Sequence, residues 1–153
     1  MWQRIQTVYL VIAIIACAVC LCLPIANIVP EDLAANSTVY NLFTVAPDGT
    51  REYSWLSMEN FLLIMSCTFA AIAIFAYKNR KLQAVECVLG IVFTLVWNVV
   101  YCIWAFSGMI EFSGEFKPSF AACLPAIAMI LFFLARKAIL KDEALVRSMD
   151  RIR

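Results

Sequence analysis

The sequence predicts an all-α membrane protein: four transmembrane helices in an antiparallel bundle, a short outer β-hairpin between the first two, and an amphipathic cytoplasmic extension of the last. Three observations carry this reading. First, Ile5–Val29, Asn60–Tyr77, Cys87–Ile110 and Pro118–Ala135 hold no charged residue and are 25, 18, 24 and 18 residues long. Crossing a bilayer's hydrocarbon core takes roughly 20 apolar residues of helix, within a range of about 17–25. Second, hydrophobic residues make up 64% of the chain and charged residues 15%, whereas a soluble domain is about 25% charged. Third, the basic residues are segregated. Arg4, Lys78, Arg80, Lys81, Arg136, Lys137, Lys141, Arg147, Arg151 and Arg153 fall on one side of the four spans, and only Arg51 and Lys117 on the other. Lys and Arg accumulate on the cytoplasmic side, so both termini are expected there.

In lipid each backbone N–H and C=O must be satisfied within its own segment, which makes the spans helical. They are placed near 4–26, 58–77, 82–106 and 118–136, with a tail at 137–153, all in a single domain over 1–153. The first span reads as a retained helix and not a cleaved leader. Its apolar run is longer than a leader's, and no small-x-small cleavage site follows it. The short Lys78-Asn79-Arg80-Lys81 turn makes the second and third helices antiparallel neighbours. Trp2, Tyr9, Trp55, Tyr77, Trp97, Tyr101 and Trp104 lie towards helix ends, where aromatic residues suit the headgroup belts.

The outer connection Pro30–Ser57 carries the hairpin. Val39–Val45 is rich in β-branched and aromatic residues, and Arg51–Trp55 alternates in polarity. Pro47-Asp48-Gly49 between them is a turn signal. An isolated hairpin is marginal in water, so this one is expected to lean on helix ends or headgroups.

On the third helix Glu86, Gly90, Thr94 and Asn98, followed by Cys102, recur every fourth residue. Small and polar residues at this spacing let helices approach and hydrogen-bond, so the set reads first as a packing seam and second as a substrate path. Glu86 is the one ionisable residue in register with a span, about one turn inside the basic loop. A structural pair with Arg4, Arg136 or Lys137 is expected for it. Pro125 is expected to free the carbonyl of Ala121 within the fourth helix, with the Asn98 amide donating to that carbonyl, to Ser66 or to Thr68. Cys17-Ala18-Val19-Cys20 spells C-x-x-C, but all seven cysteines lie in apolar segments and the chain has no histidine. Thiol chemistry needs an accessible, electropositive site, and a thiol metal site wants His or carboxylate company. No catalytic residue, cofactor or metal is expected, and no nucleic-acid partner.

The tail Arg136–Arg153 has six basic and three acidic residues. On a helical wheel Ala138, Leu145, Val146, Met149 and Ile152 fall on one side. Arg136, Lys137, Glu143, Arg147, Asp150 and Arg151 fall on the other. Asp142 lies on the apolar side, where an unpaired charge is expensive, so it is expected to meet a cation, Arg4 or the Lys78–Lys81 turn. Arg147 and Arg151 remain as outward contacts to lipid or to a partner.

The opening Gln3-Arg4-Ile5-Gln6-Thr7-Val8-Tyr9-Leu10, the Leu23-Pro24 closing the first span, and the final Ala138-Ile139-Leu140-Lys141-Asp142-Glu143-Ala144-Leu145-Val146-Arg147-Ser148-Met149-Asp150-Arg151-Ile152-Arg153 resemble a domain-of-unknown-function family of four-helix membrane proteins typical of Bacteroidota bacteria. The resemblance covers the whole chain in layout. It implies a bacterial inner-membrane protein and implies no activity. The residues and the resemblance together favour a non-enzymatic scaffold or accessory subunit that meets lipid, a membrane-protein partner or its own copies through its basic tail. The alternatives are a small oligomeric transporter or channel using the polar face of the third helix, and a membrane thiol redox protein.

Overall fold

The break between the first helix and the outer segment is written in one residue. A proline at position 24 has no N–H to donate, and it disfavours helical geometry in Leu23 before it. The computed structural model, which describes residues 3–30, 36–53, 57–77, 79–107 and 114–150, ends its first helix there. Helix α1 is Gln3–Cys22, closed by the Leu23 N–H donating to the Val19 carbonyl at 3.0 Å. Strands β1 (Ala26–Pro30), β2 (Ser37–Val39), β3 (Thr44–Val45) and β4 (Arg51–Glu52) follow, then helices α2 (Ser57–Phe75) and α3 (Arg80–Ser107). Strand β5 (Gly114–Pro118) and a 3-10 turn (Phe120–Cys123) lead into α4 (Leu124–Asp150).

The expected short hairpin is corrected by this architecture. The strands form a five-stranded antiparallel sheet in the order β4-β3-β2-β1-β5. The predicted turn sits at one edge of it. Gly49 adopts φ 76°, the Ala46 N–H donates to the Thr50 carbonyl at 3.0 Å, and Thr44 pairs with Glu52. Strand β1, between β2 and the edge strand β5, continues the uncharged run of the first span and so reads as helix. Ala26 and Ile28 are buried and face Val39 on β2 and Phe116 on β5 respectively, within registers that run Ala26 to Val39 and Ile28 to Phe116. Lys117 and Glu115, two residues apart on β5, pair at 3.4 Å while remaining more than half exposed. Such a surface pair contributes little to stability.

The expectation of four comparable spans is also corrected. Three helices are long and apolar enough to cross a membrane: α1, α3 and α4. The apolar part of α2, Glu59–Phe75, is shorter. The four helices pack in a ring, α1 against α2 and α4, and α3 against the same two. Each buries a seam with alternating steps of three and four residues. On α1 it is Gln6, Leu10, Ala13, Cys17 and Cys20; on α2 it is Glu59, Leu63, Ser66, Ala70 and Ala73. On α3 Cys87, Gly90, Thr94, Trp97, Tyr101 and Trp104 face inward, and on α4 Ala128, Phe132, Ala135 and Ile139. This spacing is the one that keeps a stripe facing its neighbour along nearly parallel helix axes. The many small residues in it bring the backbones close. Large apolar residues such as Val8, Ile12, Ile15, Val99, Ile103, Ile130 and Phe133 point outward and stay exposed. An apolar belt of this extent is foreign to the surface of a water-soluble protein and suits lipid.

Two expectations about individual residues change. Trp97, Tyr101 and Trp104 are not belt residues: they are buried inside the ring. Trp2 and Trp55 lie outside the described residues. Pro125 does not free the Ala121 carbonyl. It occupies the first turn of α4, where no intrahelical N–H is required, and the Leu124 N–H bonds to the Ala121 carbonyl.

Gly90 shows how tight the α3–α4 contact is. A Cβ built there meets the Phe132 ring at 2.7–2.9 Å, and the ring is fully buried with little freedom to yield. Alanine favours a helix over glycine by about 0.5–1 kcal/mol, but overpacking costs about 1–3 kcal/mol. Gly90→Ala is therefore expected to be destabilising by about 1–2 kcal/mol, read from thermal unfolding in detergent. Adding Phe132→Leu, which removes the obstructing ring, should recover part of that loss.

Candidate functional site

Two polar clusters lie at opposite ends of the helical ring, with the third-helix seam between them. The first is under the sheet. Because residue 24 is proline, the Cys20 carbonyl lacks the N–H that the next helical turn would supply. Asn41, fully buried in the bend after β2, supplies it: its Nδ2 donates to the Cys20 carbonyl at 2.8 Å. The same amide accepts from the Trp97 indole Nε1 at 3.1 Å through its Oδ1. One residue after Pro24, the buried Ile25 carbonyl accepts the Tyr101 hydroxyl at 3.0 Å and the Ser119 N–H at 2.9 Å. Trp97 and Tyr101, one turn apart on α3, stack with ring centroids 5.3 Å apart and 7° between planes. The sheet is thus tied to α1, α3 and the entry to α4 by a small set of buried hydrogen bonds.

Glu59 belongs to this end. It heads the inner seam of α2 at 4% exposure, and its Oε2 is buried without a partner. The Ser66 hydroxyl, two turns further along the same seam, is likewise buried and unpartnered. All seven cysteines are free: Cys17, Cys20 and Cys87 are buried, and Cys22, Cys102 and Cys123 are exposed on the helical surface. Among the described residues no three His, Cys, Asp or Glu side chains gather where a metal could be held.

The third-helix set is placed as follows. Gly90 and Thr94 are buried, Glu86 and Asn98 half-buried, and Cys102 exposed, so the series winds from the interior outwards. Thr94 Oγ1 lies 2.8 Å from the Gly90 carbonyl and 3.0 Å from that of Ile91. Asn98 Nδ2 donates to the Thr94 carbonyl at 2.7 Å, not to Ala121, Ser66 or Thr68. These side chains are satisfied along their own helix. Glu86 Oε2 on α3 and Arg136 Nε on α4 are each buried with no hydrogen-bond partner.

The second cluster is at the basic end, opposite the sheet. Asp142 is half-buried, and its Oδ2 accepts the Gln6 amide Nε2 at 2.8 Å. Arg80 Nη1, at the start of α3, donates to the Asp142 main-chain carbonyl at 2.9 Å. Of the expected Lys78–Lys81 cations Arg80 reaches Asp142, but at its backbone, while the carboxylate accepts from a neutral amide; Lys78 lies outside the described residues. The side chain of Arg4 and all of Arg151 lie outside the described residues. Arg147 is exposed on the last turns of α4. Gln6, Asn41 and Glu59 were not singled out in the sequence. The signal for Asn41 was the proline seventeen residues earlier, since an orphaned carbonyl calls for a side-chain donor. The signal for Gln6 was its place on the inner seam of α1.

Residues 2–152 match a family model described as a domain of unknown function (DUF4293). No curated protein matches the chain.

The sheet-end cluster yields a testable prediction. Asn41→Leu leaves the Cys20 carbonyl and the Trp97 indole N–H buried and unpartnered, each worth about 1–3 kcal/mol. A loss of roughly 2–4 kcal/mol is expected in denaturant or thermal unfolding. Trp97→Phe keeps an aromatic ring on Tyr101 but loses both the donor and part of the buried indole, so it should cost a comparable amount, and the double variant should cost less than the sum of the two.

Proposed function

We propose that this chain, which belongs to the DUF4293 family, is a multi-pass protein of the bacterial inner membrane that acts as a non-enzymatic scaffold or accessory subunit through its basic end. The observation that carries this reading is the form of α4. It is one helix from Leu124 to Asp150, apolar up to Ala135 and charge-bearing beyond it. Asp142 fixes its direction against Gln6 and Arg80. Past that anchor Leu145, Val146 and Arg147 are exposed, a surface with both apolar and basic character, held in a fixed direction relative to the other helices. Helical segments of this kind dock into grooves or rest on anionic surfaces.

The reading as a transporter through the third helix has less support. Thr94 and Asn98 spend their hydrogen bonds on their own backbone, and Gly90 is filled by Phe132. The thiol reading has less as well, since both members of the C-x-x-C pair are buried where a thiolate is disfavoured.

The orientation is tested by accessibility labelling in cells, in a background with the exposed native cysteines replaced. A cysteine introduced at Gly49, the tip of the β3–β4 turn, should react with a membrane-impermeant reagent from outside, and one at Asn79 should not. The opposite pattern contradicts the proposed topology. The scaffold role is tested by a photoreactive residue at Leu145. It should yield one discrete protein adduct in native membranes, weakened by Arg147→Glu, whereas the same probe at the outward-facing Val99 should yield lipid adducts alone. Lipid adducts alone at Leu145 contradict the scaffold role.

A further inference from the structure

At the basic end the seam between α1 and α4 opens into a groove of about 240 Å³. Ile5 and Tyr9 on α1 and Leu134 on α4 give it an apolar lining, and Lys137 and Lys141 on α4 give it a basic one. The lysines are one turn apart on α4, and such neighbours sit about 5–6 Å apart at their Cβ atoms. Both are exposed. Asp142, the carboxylate among the described lining residues, is engaged by the Gln6 amide. That bond joins the two walls of the groove, so the site is held by the same contact that fixes the tail.

We propose that this groove binds one anionic glycerophospholipid by its headgroup phosphate. The inference rests on the membrane insertion proposed above but not on any protein partner of the tail. Depth supports it. The uncharged run of the fourth helix ends at Ala135. At 1.5 Å per residue Lys137 and Lys141 stand about 3 and 9 Å beyond it, the depth at which headgroup phosphates lie. Leu134, within the uncharged run of the fourth helix, lines the same groove on the membrane side of both lysines, level with the first methylenes of an acyl chain. Charge supports it too. Two ammonium groups one turn apart straddle a single phosphate. A headgroup carrying its own quaternary ammonium would bring a third cation to the same place, which selects an anionic lipid over a zwitterionic one. Basic pockets between helices at this depth are a recurring form of anionic-lipid recognition, with each basic residue near the surface worth about fivefold in affinity.

The test is a thermal melt of the full chain in neutral detergent, titrated separately with phosphatidylglycerol, phosphatidylcholine and inorganic phosphate. Phosphatidylglycerol should raise the melting temperature saturably, and the other two should not. Lys137→Gln with Lys141→Gln should weaken the apparent affinity for phosphatidylglycerol by about 30-fold, roughly fivefold per lysine, while Lys117→Gln at the sheet end leaves it unchanged. If the double variant does not fold, Lys137→Gln alone, at an exposed position, should show the fivefold loss. Equal stabilisation by phosphatidylcholine overturns the proposal, as does unchanged affinity in the lysine variants. Stabilisation by inorganic phosphate at the same concentration shows a soluble-anion site and overturns the lipid assignment. Any of these results in a protein that still inserts into bilayers leaves the membrane reading standing and removes only the lipid site.

Discussion

A single missing N–H organises the sheet end of this protein. Proline at 24 stops α1 and leaves the Cys20 carbonyl facing the interior without a donor. In water such a carbonyl would be solvated. Here it lies beneath a sheet and inside a ring of helices, where an unpartnered polar group costs about 1–3 kcal/mol. Asn41 resolves this by donating to Cys20, and its remaining oxygen accepts from Trp97. The chain between Pro24 and Asn41 holds β1 and β2, so the bond that satisfies α1 also seats the centre of the sheet. Tyr101, stacked on Trp97, reaches the Ile25 carbonyl from the same face of α3. Turn, sheet and third helix are parts of one solution to one backbone problem.

The rest of the helical ring follows a simpler rule. Its seams are filled by small residues and a few large ones, and backbone approach is set where they meet, as Gly90 and Phe132 show. The basic end repeats in weaker form what the sheet end does. A polar side chain on the inner seam of α1, Gln6, takes a group from another element, Asp142, and so fixes where α4 continues. Both ends of α1 are therefore anchored by amides. Its apolar middle is held by packing alone.

Much of this was legible in the sequence. The uncharged runs marked where the helices lie but not their ends, since α1 stops seven residues before Val29 and α4 runs fifteen beyond Ala135; the turn at Pro47–Gly49 was read from its residue types. The sheet was not. Strand β1 is uncharged and continues the first uncharged run, so charge cannot separate it from the helix before it; Pro24 marks the boundary. Strand β5 is five residues long, pairs with β1 across more than eighty residues of chain, and gives no local signal of its partner. Among the candidate residues, Gly90, Thr94 and Asn98 were visible because their spacing is regular. Asn41, Gln6 and Glu59 were not, because a single buried polar residue has no period. Trp97 and Tyr101 misled for a physical reason: aromatic residues near helix ends serve equally at a headgroup belt and as hydrogen-bond donors inside a cap. Length and composition also made α2 resemble the other three helices more than its shorter apolar stretch warrants.

The dependence of the sheet end on the orphaned carbonyl is tested most directly by giving that carbonyl its donor back. Pro24→Ala restores an N–H four residues after Cys20. Its effect on unfolding free energy can be measured once with Asn41 present and once with Asn41 replaced by leucine. If Asn41 serves in place of the absent proline N–H, Pro24→Ala should be markedly more favourable in the Asn41→Leu background, with a coupling of about 0.5–3 kcal/mol between the two sites. Strict additivity would contradict the account, because the two residues would then not be meeting the need of the same carbonyl.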